Sequence, residues 1–122
     1  MKTIRGEGNQ GPYSQVVIHG DMVYTSGQIP VVPGTGEIVT GNIEVQAAQA
    51  LTNLKAVLAL AGTDMEHVLK TTVFLTDMAD FGAVNEIYKT FFTAHLPARS
   101  CVQVAALPRG VKVEVEAVAI LP

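Results

Sequence analysis

The stretch VKVEVEAVAIL, residues 111–121, decides how this chain folds. Side chains on a strand point alternately to its two faces, and here Val111, Val113, Val115, Ala117, Ala119 and Leu121 fall on one of them. That face is wholly apolar and suits packing under helices. Lys112, Glu114, Glu116, Val118 and Ile120 fall on the other, which begins charged and ends apolar. Such a face is neither an ordinary solvated surface nor an ordinary core, and the rest of the chain offers no third layer to cover its apolar part. A second copy of the chain is the economical cover, so the pattern predicts a homo-oligomer with polar groups in or near the interface.

Upstream, RSCVQVAAL, residues 99–107, reads as a strand joined to the last one by Pro108-Arg109-Gly110, giving a terminal hairpin. Ser100, Val102, Val104 and Ala106 share one face of it, and Arg99, Cys101 and Gln103 the other. If the polar faces of the hairpin coincide, Arg99, Cys101, Gln103, Glu114 and Glu116 line one surface. A one-residue slip would set Glu114 beside valines, which burial disfavours.

The remaining elements follow from local signals. Behind Asp77 or Asp80, a second helix is expected on the stripe Val84, Tyr88, Phe91 and His95, flanked by Phe81, Ile87 and Phe92 and ended by Pro97. HVLKTTVFLTD alternates and is β-branched, hence a strand at about 67–76. Asn42 caps a first helix with Glu44 in its opening turn, its stripe is Ala47, Leu51, Leu54, Leu58 and Ala61, and Gly62 stops it. Two short strands, near 15–19 and 22–28, flank the turn pair Gly20-Asp21. VVPGTGEIVTG is a further turn with a short strand at 37–39, and residues 1–15 read as an irregular arm. The order β-β-(β)-α-β-α-β-β describes one α+β domain over residues 1–122, a mixed sheet with two helices on one face.

Bulk properties narrow the function. A chain of 122 residues that is 48% hydrophobic suits a single small core. Eight Lys+Arg against eleven Asp+Glu give a formal charge of −3, with no basic run to track a phosphate backbone, so nucleic acid is a poor partner. No apolar run reaches the ~18–20 residues that span a bilayer, and MKTIRGEGNQG has no apolar leader pattern, so a soluble, unprocessed chain is expected. The single Cys101 fits a reducing compartment, and the cytosol is the simplest location.

Most motifs fall away. GEGNQG, residues 6–11, spells a dinucleotide fingerprint, but no strand precedes it and Pro12 follows where a helix should start. His19, His67 and His95 lack the spacing of metal ligands. Cys101 has no histidine near it in sequence, and Ser26 in TSGQIP is not in a nucleophile elbow. What remains is Arg99, whose fork suits a carboxylate ligand, with a glutamate that could position or deprotonate water. Equally, Arg99 could pair with a carboxylate at the sheet edge, and Glu114 and Glu116 could form a solvated strand face. Were Gln103 opposite Glu114, Arg99 would lie ~13 Å farther along the strand. Either another register closes that gap or a neighbouring subunit completes the pocket.

Four blocks carry a resemblance over nearly the whole chain: GPYSQ (11–15), TSGQIP (25–30), VLKTTVFLTDMADFGAVNEIY (68–88) and PARSCVQVAALPRGVKVEVEAVAI (97–120). In this order they resemble the reactive-intermediate deaminase (RidA, formerly YjgF) family. The resemblance implies a chorismate-mutase-like fold and a homotrimer, with sheets towards the centre, helices outside and clefts between subunits. It implies hydrolysis of 2-imino acids and their enamine tautomers, 2-aminoacrylate/2-iminopropanoate and 2-iminobutanoate, to 2-keto acids and ammonia, with neither metal nor organic cofactor. Carried over by position, Arg99 takes the substrate carboxylate and Glu114 positions water. Tyr13 and Ser26 are polar pocket residues, Gly27 makes a backbone contact where a side chain would obstruct the ligand, and Asn85 lies beside the cleft. Cys101 varies in the family, which speaks against catalysis by it, and Glu116 becomes a supporting acid. The alternatives are a non-catalytic small-molecule-binding or regulatory trimer, and an RNA-cleaving translation inhibitor, against which the acidic balance counts.

Overall fold

A computed structural model of the chain describes residues 1–6, 8–9 and 11–122; Glu7 and Gln10 of the GEGNQG stretch lie outside the described residues. The elements in chain order are β1 (Lys2–Ile4), β2 (Val16–His19), β3 (Met22–Thr25), α1 (Ile43–Ala61), β4 (Val68–Leu75), α2 (Phe81–Phe91), β5 (Ala98–Gln103) and β6 (Val113–Ile120). The strands form one six-stranded sheet in the order β1-β2-β3-β6-β4-β5. All neighbours are antiparallel except β4 and β5. Among the described residues no helix is long and apolar enough to cross a membrane.

Local signals behave as the sequence predicts. The β2–β3 hairpin turns on Gly20-Asp21, with His19 opposite Met22 and Gly20 at φ +59°. Asn42 Oδ1 accepts the Val45 N–H at 3.0 Å, satisfying one of the donors that a helix start leaves free. Gly62 closes α1 at φ +88°, and the whole predicted stripe from Ala47 to Ala61 is buried. Asp77 Oδ1 accepts the Ala79 N–H at 2.9 Å, capping a 3₁₀ turn over Met78–Asp80 that runs into α2.

Four expectations need correction. The N-terminal arm is not wholly irregular, because Lys2–Ile4 pairs with β2 and so extends the sheet. The strand expected at 37–39 is a single bridge between Val31 and Ile38. The helix α2 ends at Phe91 rather than near Pro97: Phe92 leaves helical geometry at φ −116°, ψ 85° and buries its ring against Tyr88, centroids 4.5 Å apart. His95 therefore lies beyond the helix, its Nε2 2.9 Å from the Val68 carbonyl oxygen.

The fourth correction concerns the terminal hairpin, which does not form. Strand β5 runs parallel to β4, and β6 pairs with the opposite edge of β4. A parallel pair needs a crossover, and α2 supplies it. Pairing of β5 closes with the Val104 N–H on the Leu75 carbonyl at 2.8 Å, so residues 104–112 form a connection too long for a tight hairpin. The two interior places beside β3 and β5 go to β6 and β4, both eight residues long with apolar inner positions to bury.

Residues opposite one another in a ladder share a face. Arg99, Cys101 and Gln103 stand opposite Thr71, Val73 and Leu75, on the inner face beneath the helices. Glu114 and Glu116 stand opposite Phe74 and Thr72, on the outer face. The single polar surface expected from the hairpin is thus split across the sheet. The outer face carries no helix, and Val17, Tyr24, Phe74, Val102, Val118 and Ile120 leave it apolar and only partly shielded beside the two glutamates.

A candidate active site in two halves

The first half is built on α2. Phe81, Asn85 and Tyr88 lie at i, i+4 and i+7, one stripe of the helix, and Arg99 reaches over it from the edge strand. Its Nη1 donates to Asn85 Oδ1 at 2.7 Å. The guanidinium carbon lies 4.9 Å from the Tyr88 ring centroid and 5.3 Å from that of Phe81, within cation–π range. Among the described residues the only salt bridges are His67–Asp64 and Lys89–Glu86, so Arg99 is not the edge ion pair that the sequence left open. A guanidinium has five donors, and one is committed here. Arg99, Asn85 and Tyr88 line a cleft of about 500 Å³, together with Leu96 and Pro97.

The neighbours of Arg99 on β5 have other work. Cys101 is packed partly against the core, where burial pushes its thiol pKa up despite the nearby Arg99 charge. A thiol held protonated is a poor nucleophile. Gln103 Oε1 accepts the Met78 N–H at 2.7 Å and tethers the turn before α2. Among the described residues no cluster of His, Cys, Asp or Glu could hold a metal ion.

The second half surrounds Glu114. Gln28 pairs with Val115 through both backbone groups, at 2.7 and 3.1 Å, which lays the TSGQIP segment against β6. The buried Gln28 side chain donates to Gln15 Oε1 at 2.9 Å and to the Ser26 carbonyl at 3.1 Å, while Ser26 Oγ donates to the Ser14 carbonyl at 2.6 Å. These bonds fix Gly27 over the Glu114 side chain. A Cβ placed on Gly27 would sit 2.7 Å from Glu114 Cδ and would collide with Oε2. Tyr13, half exposed, and Gly27 border a groove of about 870 Å³ that continues along α1 past Asn53 to Arg109. Gly27 and Glu114 are therefore in contact, Ser26 precedes Gly27 and is tied back to Ser14, and Tyr13 borders the same groove as Gly27; Asn85 and Arg99 form a separate group. With two strand spacings and three residues between them, the Cα atoms of Arg99 and Glu114 are roughly 14 Å apart, and their side chains leave opposite faces.

Burial raises the pKa of Glu114, and the charge of Glu116 raises it further. A carboxylate must be ionised to accept a proton from water. Any activity that depends on it should fall on acidification at a pH above the ordinary carboxylate range. Replacing Glu116 by Gln removes the like charge, so the acid limb of a kcat/KM–pH profile is expected to move to lower pH with the plateau retained.

Sequence reasoning placed Tyr88 in the core stripe and missed its contact with Arg99, although the i, i+4, i+7 spacing of Phe81, Asn85 and Tyr88 was the available signal. It also missed Gln28, which follows the polar run Thr25-Ser26-Gly27 and so carries no local signal of its own.

The sequence pattern of the family described as endoribonuclease L-PSP matches residues 7–121. The chain is 51% identical over 120 residues to the mouse 2-iminobutanoate/2-iminopropanoate deaminase, covering 98% of this chain and 89% of the relative. The human protein of the same name is 48% identical over 120 residues, covering 98% and 88%. Among solved structures, Escherichia coli TdcF with bound serine superposes with a TM-score of 0.92 at 49% identity, covering all of both chains. The E. coli YjgF gene product does so with a TM-score of 0.92 at 48% identity, covering 98% of each. With the family pattern spanning almost every residue and a relative half identical over nearly its full length, this chain belongs to the endoribonuclease L-PSP family, the reactive-intermediate deaminase (YjgF) family that its four sequence blocks resemble.

Proposed function

We propose that this chain hydrolyses 2-imino acids and their enamine tautomers, 2-aminoacrylate/2-iminopropanoate and 2-iminobutanoate, to 2-keto acids and ammonia. The observation that carries the proposal is the half-buried Arg99, without a carboxylate partner among the described residues and with donors left over beside a cleft. The names of the mouse and human relatives support the reaction class. Arg99 takes the substrate carboxylate through charge-assisted hydrogen bonds, with Asn85 beside it. Glu114 takes a proton from water as the water oxygen adds to the C=N carbon, and gives that proton to the imine nitrogen. The carbinolamine then collapses: Glu114 carries the hydroxyl proton to the amino group, the C–N bond breaks as the C=O bond forms, and ammonia departs from the 2-keto acid. Tyr13, Ser26 and the open backbone at Gly27 shape the pocket. An imine is already electrophilic and hydrolyses unaided, so orientation and proton handling are all the protein need supply, with no cofactor.

Because Arg99 and Glu114 leave opposite faces of one sheet, the reading requires two copies. A homotrimer with its outer sheet faces turned inward would bury the apolar strip around Tyr24, Val118 and Ile120. It would also bring the Arg99 half of one copy to the Glu114 half of the next. Cytoplasmic residence fits the single, unpaired cysteine. The family description names an endoribonuclease, but a net charge of −3 gives RNA little electrostatic purchase. The test is to generate 2-iminobutanoate in situ from threonine with a dehydratase and follow 2-oxobutanoate. Release is expected to be faster with the protein than without it; equal rates would leave a binding or regulatory trimer as the better reading.

A further inference from the structure

The inner face of the sheet is apolar around Thr71. Val68, Val73, Leu75, Val113 and Val115 are all within 1% of complete burial, and Thr71 among them is 0% exposed. A valine would fill the same volume, so the hydroxyl needs a reason. Its partner is the Tyr88 hydroxyl, 2.7 Å away on α2, itself on a side chain only 7% exposed. Each group would be a buried, unpaired polar atom without the other. Thr71 is also the residue directly opposite Arg99 in the β4–β5 ladder. The contacts therefore close a ring: Arg99 is paired through its backbone strand to Thr71, Thr71 holds the Tyr88 hydroxyl, and the Tyr88 ring lies against the Arg99 guanidinium.

We infer that Tyr88, locked by its hydroxyl to Thr71, is a positioning residue that aims the Arg99 guanidinium at its ligand. The inference rests on the reading of Arg99 as a carboxylate anchor. An arginine side chain on an edge strand has several rotatable bonds and would ordinarily sweep a wide arc. Here Asn85 occupies one donor, and the rings of Phe81 and Tyr88 back the group, so the remaining donors are presented in a fixed orientation. Tyr88 can back Arg99 only while its ring is fixed, and the only side-chain hydrogen bond fixing it among the described residues is the one to Thr71. Phe81, at the exposed end of the stripe, has no such tether.

The test uses the full chain and the variants Thr71→Val, Thr71→Ser, Tyr88→Phe and Arg99→Ala. For each, KM and kcat for 2-iminobutanoate, calorimetric Kd for 2-oxobutanoate, and the melting temperature are measured. Thr71→Val and Tyr88→Phe, which conserve volume and break the same bond from its two ends, are expected to raise KM and Kd about five- to tenfold with kcat little changed. Thr71→Ser, which keeps the hydroxyl, is expected to restore both. The double variant Thr71→Val/Tyr88→Phe should be no worse than either single, because one bond is lost in all three. A purely structural pair would lower the melting temperature and leave KM and Kd alone, and that result in Thr71→Val and Tyr88→Phe overturns the inference. Arg99→Ala separates the levels. If it loses binding while the other variants keep it, only the positioning role falls; if it too binds and turns over normally, the carboxylate anchor falls with it.

Discussion

Arg99→Ala is expected to fold and to lose about 10²–10³ in kcat/KM for 2-iminobutanoate, the usual cost of truncating one partner of a desolvated charge pair. The residue is not part of the closed core: it sits on an edge strand, its hydrogen-bond acceptor Asn85 can take water instead, and only its contacts with Phe81 and Tyr88 are lost. Those are worth about 1 kcal/mol at partly exposed sites. Binding depends on it far more. Alanine leaves the substrate carboxylate facing two aromatic ring faces and an amide oxygen, all of which carry negative partial charge and repel it. Arg99→Lys is expected to recover little, since a point charge cannot replace a planar fork with one arm on Asn85. Steady-state kinetics on dehydratase-generated imine, with melting temperatures alongside, check both statements.

Gly27→Ala is expected to lower kcat/KM about 100-fold, the scale on which a misplacement of roughly 1 Å acts, while leaving stability nearly unchanged. The glycine is not there for its backbone, which lies outside the left-handed region. It is there for space, since the carboxylate end of Glu114 fills the volume a methyl group would take. That end is the free tip of a half-buried side chain, so it can swing away at little cost to the fold. Catalysis would lose its aligned carboxylate as a result. Glu114→Asp in the Gly27→Ala background draws the carboxyl group back by one methylene, and part of the lost rate should return. Full activity in Gly27→Ala would mean that the position of the Glu114 carboxylate does not matter.

Much of this was legible in local sequence. Asn42, the stripe from Ala47 to Ala61 and Gly62 define α1 without reference to anything distant, and Gly20-Asp21 defines a hairpin the same way. The parity within each late strand was legible too: Arg99 does share a face with Cys101 and Gln103, and Glu114 with Glu116. What alternation cannot encode is which strand lies beside which. The relation between the two polar faces is set by β4, which lies between them and presents Thr71 to Arg99 but Thr72 to Glu116. Adjacent residues of a strand point opposite ways, so the two faces separate. The change from charged to apolar along Glu114, Glu116, Val118 and Ile120 did foretell an uncovered outer face. The gap between Arg99 and Glu114 left two ways out, another register or a neighbouring subunit, and the observed register does not bring the two side chains to one face. The role of Tyr88 was hidden because a buried aromatic at helical spacing reads first as core.

The proposed cleft between two copies has a consequence that no single-chain site shares. Arg99→Ala and Glu114→Gln, each nearly inactive alone, are unfolded together in equal amounts, refolded, and assayed on 2-iminobutanoate beside unmodified protein treated the same way. Random assembly of the proposed trimer gives about one cleft in four Arg99 from a Glu114→Gln subunit and Glu114 from an Arg99→Ala subunit. The mixture is predicted to recover about a quarter of the unmodified activity. Activity no higher than that of the separately refolded variants would contradict a site shared between subunits.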